Sequence, residues 1–527
     1  MTQSSSASPH QGQALQRLSR RRFLRCGLCG FSLFLGVQAD TRAAEDEPIA
    51  SLPALGDAAQ GVLSPAVETR LGQRIMSEMR QQPQYLHDVL LRDYLQGIVE
   101  RLTPAADAAA EPDAPHHFGV FLLRDPTFNA FALPGGEIGV HTGLVVDAQA
   151  EAQLAAVFAH ELSHVTQRHI AQRLAQAGTG NLLSIGSLVL AILAGAAGSG
   201  QAAEGLALGG QAAAVDRALR FSRNNERDAD RVGTGILRAA GYPPQAMASM
   251  LERLQSLSRL DNASVFAFLQ DHPLTSERIA DAQARGGNQP LPPDRSLPFW
   301  LMNARARVLT YQRTDDLRRL AEQLAQPSPD RPQDFPAQQV AWAYGQALAW
   351  LDIKRLRAAD AALEEATRLS ASFSAHDRLP LDLAQGEMLL ARSQPQAAVD
   401  LARRLRTVDA TSRAVLHLQA RALLALPDKH AARDFLREQT VLHPRDARMW
   451  TWLAQAYAAT GEFAAQHRAT AEAYALQGNL EGAVLQLKIA QKTPGANYFE
   501  ASIIDARLEA LQQQLKQDKK LDKLLPQ

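Results

Sequence analysis

The chain has 527 residues, 46% hydrophobic and 21% charged, an ordinary globular composition with length for two or three cores. Basic and acidic residues balance at 55 each, but five arginines (Arg17, Arg20, Arg21, Arg22, Arg25) sit in an N-terminal segment, so the remainder is mildly acidic and lacks a nucleic-acid footprint. The two cysteines, Cys26 and Cys29, lie in that same segment, so a metal site elsewhere must use histidine and carboxylate.

Residues 1–39 read as an export signal: no acid in the first 25 residues, a basic cluster, an apolar stretch from Cys26 to Val37, and a small-residue cleavage site near Ala39. The cluster Arg20-Arg21-Arg22-Phe23-Leu24 resembles a twin-arginine signal, with a general secretory signal as the alternative; both predict the periplasm. Residues 40–62 read as a flexible leader.

From Ser64 to Leu102 apolar positions recur at three- and four-residue spacing, predicting helix. Phe118–Leu123, Phe128–Leu133 and Glu137–His141 predict a small sheet with a hairpin or bulge at Gly135-Gly136. Asp147 is then expected to cap a helix over residues 148–177, which places Val157, His160 and His164 on one stripe. That stripe turns polar where a core-facing stripe should stay apolar, as functional sites do. The apolar run 182–197 has 16 residues, short of the roughly 20 a spanning helix needs, and predicts a hairpin touching a membrane peripherally or a buried helix.

His160-Glu161-Leu162-Ser163-His164 puts two imidazoles four residues apart on one helical face, with a carboxylate beside them. This suits one zinc ion per chain, held by the histidines, with Glu161 as general base. A third ligand is required. A metzincin spacing would need glycine at 167 and histidine at 170, where the chain has Gln167 and Ile170; His169 is one residue out of register and reads as a helix-surface residue. Downstream, Glu226 and Asp230 again share a helical face, so Glu226 would complete the ligand set. Asp230 would orient a ligating imidazole or act near the leaving group.

These motifs, with Asn129 to Gly136 and Asp271-His272-Pro273, resemble the gluzincin peptidases that include HtpX and the CAAX prenyl-protein proteases, and more closely their soluble periplasmic branch. The resemblance runs from about Leu71 to the C-terminus. It implies zinc on His160, His164 and Glu226, Glu161 as base, and Asp230 as proton donor or ligand orienter. It further implies that His272 can take the open position of the metal and hold the enzyme latent. Arg278 is expected either to stabilise an oxyanion or to pair with an acid, and the strand near Asn129–Leu133 to receive substrate as an added strand.

A metalloprotease domain over 63–288, helices plus a small sheet, is thus expected to precede a proline-rich linker at 289–298. Beyond it, Gln394-Pro395, Pro427-Asp428 and Gly461-Glu462 mark turns 33 to 34 residues apart, the tetratricopeptide period. Residues 299–515 therefore read as an α-solenoid of about four such repeats, and 516–527 as a tail. The mainly α chain that results is expected to cleave unfolded or misassembled outer-membrane proteins, with repeats docking clients or assembly machinery and a chaperone-like role besides. The alternative is a repeat scaffold or chaperone with a latent or structural zinc site.

Overall fold

The computed structural model describes residues 65–111, 114–176, 222–260, 262–326 and 335–522. The signal (1–39), the leader (40–62) and the apolar run 182–197 lie outside these residues. No described helix is long and apolar enough to cross a membrane.

The described residues open with α1 (Pro65–Met79), β1 (Tyr85–Leu86) and α2 (Val89–Ala108), so the stretch read as helix from Ser64 to Leu102 is two helices around a short strand. Next come β2 (Gly119–Leu123), β3 (Ala130–Ala132) and β4 (Glu137–His141). The sheet runs β1-β2-β4-β3; β2 pairs parallel with β4, while β1 and β3 pair antiparallel. Phe121 and Leu123 pack against Leu71, Ile75 and Met79 of α1. Val120 and Leu122 enter the main core with the apolar residues of α2. Both faces are covered, which is why β2 reads as an unbroken apolar run instead of an alternating one.

The β3–β4 hairpin turns through Gly135 and Gly136, with φ of 84° and 93°, a region that disfavours a Cβ. Helix α1 lies directly on this turn: a Cβ at Gly72 would sit 1.8 Å from the Pro134 carbonyl oxygen. Gly72→Ala is expected to lift α1 off the hairpin and cost about 1–3 kcal/mol. A lowered thermal midpoint would show it, and an unchanged midpoint would contradict this packing.

Helix α3 (Thr142–Asp147) follows, then α4 (Glu151–Thr166) and α5 (His169–Gln176). The single helix expected over 148–177 is therefore broken, and Asp147 ends α3 instead of capping α4. Ala148 and Ala150 are extended, and Asp294 caps α4 from far along the chain, accepting from the Glu151 N–H at 2.8 Å. α4 is buried on all sides, not along one stripe. Helices α6 (Arg223–Ala239), α7 (Ala246–Leu260), α8 (Asn262–Asp271) and α9 (Ser276–Gly286) complete this part. α6 crosses α4 closely, since a Cβ at Gly233 would lie 3.1 Å from the Ala159 carbonyl oxygen.

The proline-rich stretch 289–298 does not separate two cores. Leu297, Phe299 and Leu301 of α10 (Leu297–Thr310) share the apolar core of α2 and α4, and Asn303 donates to the Val145 carbonyl at 2.8 Å. After α11 (Thr314–Ala325) come the pairs α12 (Pro336–Asp352) with α13 (Leu356–Leu369), α14 (Leu379–Ala391) with α15 (Pro395–Val408), and α16 (Arg413–Ala425) with α17 (His430–Leu442). α18 (Ala447–Thr460) pairs with α19 (Phe463–Leu476), and α20 (Leu480–Lys492) with α21 (Tyr498–Asp522). First helices begin at Leu379, Arg413, Ala447 and Leu480, so the sequence period is the helix-pair period. The tail expected from 516 is helical as far as Asp522. The array folds back on the N-terminal helices: Arg413 bridges Asp93 of α2 (3.3 Å) and Asp446 (2.8 Å), and a Cβ at Gly478 would strike Ser77 of α1.

Candidate active site

His160 and His164 lie one turn apart on α4, and both are fully buried. Their Nε2 atoms converge to 3.1 Å. Helix α6 is capped by Ser222, whose hydroxyl accepts from the Asn225 N–H, and this places Glu226 in its first turn. From there Glu226 reaches both imidazoles at 3.5 Å. One turn on, Asp230 Oδ1 lies 3.0 Å from Nδ1 of His160, on the side of the ring turned away from the cluster.

The loop between α8 and α9 closes the fourth side. His272 Nδ1 stands 3.3 Å from His160 Nε2 and 3.0 Å from Glu226 Oε1, and the ring stacks on Phe268 at 4.7 Å. Its Nε2 lies 3.6 Å from Glu161 Oε1. Arg278, from α9, holds Asp230 with two hydrogen bonds (2.7 and 2.8 Å) and contacts Glu226 Oε2 at 2.7 Å. Of the two expectations for Arg278, pairing with acids is the one observed; its guanidinium is 3% exposed and turned to the carboxylates.

The donors of His160, His164, Glu226 and His272 all lie within 4.8 Å of one another. Four donors about 2.0 Å from one tetrahedral ion must stand roughly 3.3 Å apart. Five of the six donor pairs stand 3.0 to 3.5 Å apart, close to that edge length, with Glu226 meeting His160 through Oε2 and His164 and His272 through Oε1. The four side chains perturb one another's charge. Burial opposes charge on His160, yet its contacts with Asp230 and Glu226 outweigh burial and lift its pKa to about 10. Burial, reinforced by the nearby His160, holds His164 well below its usual value. Burial alone would raise Glu226, but His272 and His160 bring it well below the carboxylate range. One buried ring thus attracts a proton, while burial and the neighbouring charge keep the other neutral, the form in which an imidazole binds a metal.

Glu161 points along the sheet edge. Its Oε2 accepts from the Ala132 N–H at 3.0 Å, and burial pushes its pKa up. Asn129 and Leu133 bond inward to β4, through His141 N–H to the Asn129 carbonyl and Leu133 N–H to the Glu137 carbonyl. The period-two alternation therefore turns the backbone of Ala130 and Ala132 away from β4; Ala130 is fully buried there, while Ala132 is partly exposed and gives its N–H to Glu161. A carboxylate able to take a proton thus sits between the cluster of possible metal donors and β3, the last strand of the sheet among the described residues, an arrangement suited to peptide hydrolysis.

Two functional features escaped the sequence reading. The Ala132–Glu161 bond carries no side-chain signal on the strand. His169, read as a surface residue, is 3% exposed, and its Nδ1 lies 3.0 Å from Nδ1 of His164. The cue available was its place at the end of an already loaded helix.

Comparison with known proteins agrees with this geometry. Peptidase family M48 matches residues 90–286. The beta-barrel assembly-enhancing protease of Escherichia coli (strain K12) is 30% identical over 470 residues, covering 88% of this chain and 91% of the relative. That of Yersinia pestis is 30% identical over 476 residues, or 87% and 91%. The mitochondrial metalloendopeptidase OMA1 of Schizosaccharomyces pombe is 33% identical over 158 residues, 30% of this chain and 43% of its own length. The chain belongs to peptidase family M48 and is a metalloprotease of the beta-barrel assembly-enhancing type.

Proposed function

We propose that this is a zinc endopeptidase of the periplasm that cleaves unfolded or misassembled outer-membrane proteins. The observation that carries the reading is the convergence of His160, His164 and Glu226 beside Glu161 at the edge of β3. The periplasm is supported by the export signal read over residues 1–39 and by the relatives' printed function in barrel assembly.

His160, His164 and Glu226 hold the zinc, which when bound supplies positive charge to polarise a peptide carbonyl and acidify a water molecule. Glu161 accepts the proton from the attacking water and passes it to the leaving amine, and the Ala132 N–H keeps its carboxylate aimed. Asp230 fixes the ring of His160 through Nδ1, and Arg278 fixes Asp230. This favours orienting a ligand over proton donation as the role of Asp230, whose side chain is 1% exposed. Substrate lies as an extended strand beside β3, at its partly exposed Ala132 end, a mode that reads backbone and so selects unfolded segments. His272 occupies the side from which substrate approaches and keeps the resting enzyme latent. The helix pairs of 299–515 act as tetratricopeptide repeats that hold clients or the outer-membrane assembly machinery, which adds a chaperone-like role.

The competing reading, a scaffold with a latent metal, draws on the same seated His272. Digestion of unfolded casein by the zinc-loaded chain separates the two. Cleavage that a chelator stops and added zinc restores supports the endopeptidase. Bound zinc without cleavage, in the His272→Ala variant as well, supports the scaffold.

A further inference from the structure

Both imidazoles of the His160–His164 pair have an outer nitrogen, and α6 accounts for both. His160 Nδ1 meets Asp230 directly at 3.0 Å. His164 Nδ1 meets His169 Nδ1 at 3.0 Å, and the far nitrogen of His169 lies 3.5 Å from Asp228 Oδ2, on the same helix as Asp230. We propose that His169 is a positioning residue for the metal, fixing His164 from behind and relaying it to Asp228. This rests on the reading above that His164 is a zinc ligand.

The tautomers decide the direction of the relay. With Nε2 of His164 turned to the metal, its Nδ1 carries the proton and donates. His169 must then accept at Nδ1, which leaves its own proton on Nε2, facing the Asp228 carboxylate. One proton arrangement satisfies both contacts, and the opposite tautomer of His169 satisfies neither.

The fold provides this contact by a specific break. In an uninterrupted helix, five residues rotate a side chain about 140° away from its predecessor, and His169 would face elsewhere. Here α4 stops at Thr166, Arg168 takes a left-handed φ of 50°, and α5 begins at His169. A non-glycine residue adopts that conformation only against a steric cost, so something must hold it. The side chain of Arg168 is 3% exposed and pairs with the buried Glu68 of α1 at 3.6 Å. The Glu111 N–H takes the Thr166 carbonyl freed by the break, at 2.9 Å. Glu68 and Arg168 thus set the bend that returns His169 to His164.

The test is zinc affinity of the full chain, measured by competition with a chromophoric chelator, together with the visible spectrum of the cobalt-substituted protein. His169→Leu keeps bulk but removes the acceptor, and is expected to weaken zinc about 10- to 100-fold and change the cobalt bands. His169→Asn keeps an acceptor at the Nδ1 position and is expected to recover most of that loss. Asp228→Ala, at a third-exposed side chain that folding tolerates, is expected to weaken zinc about threefold or more. Wild-type affinity in both His169→Leu and Asp228→Ala would overturn the proposal. So would an Asn variant no better than Leu, which would make His169 a packing residue. A wild-type chain that binds no zinc would instead overturn the ligand reading itself.

Discussion

Glu161→Gln is expected to lower kcat/KM on an unfolded substrate by about 10²- to 10⁴-fold while zinc stays bound. Glutamine keeps the shape of the side chain and an oxygen to accept the Ala132 N–H, so the edge strand and the cluster need not move. What is lost is the ability to take a proton. Glu161 contacts His272 and Ala132 but is not among the four donors that converge, so metal content should be unaffected. Fluorogenic peptide turnover and elemental zinc, measured on one preparation, check both halves. Retained turnover would remove Glu161 as base, and lost zinc would make it a ligand.

His272→Ala is expected to raise the same turnover about tenfold or more. The histidine fills the side of the cluster that substrate must enter, and its ring is held by Phe268 and Glu226. If the closed loop holds nine molecules in ten or more, releasing it restores at least that factor. A 370 Å³ pocket lies beside the loop, bordered by Gln255, Ser258, Leu269 and Leu274. Arg278 stays with Asp230 and Glu226 in the variant, so the other three donors keep their support. Initial rates at saturating zinc decide it. Rates at or below wild type would show that His272 contributes to turnover instead of restraining it.

The parts of this site that the sequence discloses are those in which chemistry and helical periodicity coincide. His160, Glu161 and His164 are such a case, and so are Glu226 and Asp230: four-residue spacing joins the partners on one face without knowledge of the rest of the fold. The glycine pair at 135 and 136 is similarly legible, because positive φ has a residue signature. The helix-pair array is legible through its repeat.

The helix boundaries around α4 were not. Asp147 looks like a cap because aspartate commonly is one, but the partner of the first α4 N–H is Asp294, which no local pattern names. The break before α5 falls on Arg168, a residue type without left-handed preference, and is held by Glu68 of α1. Since that break alone turns His169 inward, its role was invisible for the same reason. The proline-rich stretch 289–298 looked like a linker because prolines punctuate the chain, whereas Leu297 and Phe299 carry one core across it.

In the proposed enzyme one metal is held by side chains from two helices, α4 and α6. Elemental analysis of zinc in the full chain, after dialysis against a weak chelator, tests it most directly for wild type, His164→Ala and Glu226→Ala. One zinc per chain is expected in wild type and little or none in either variant. Undiminished zinc in both variants would contradict it and place the metal elsewhere.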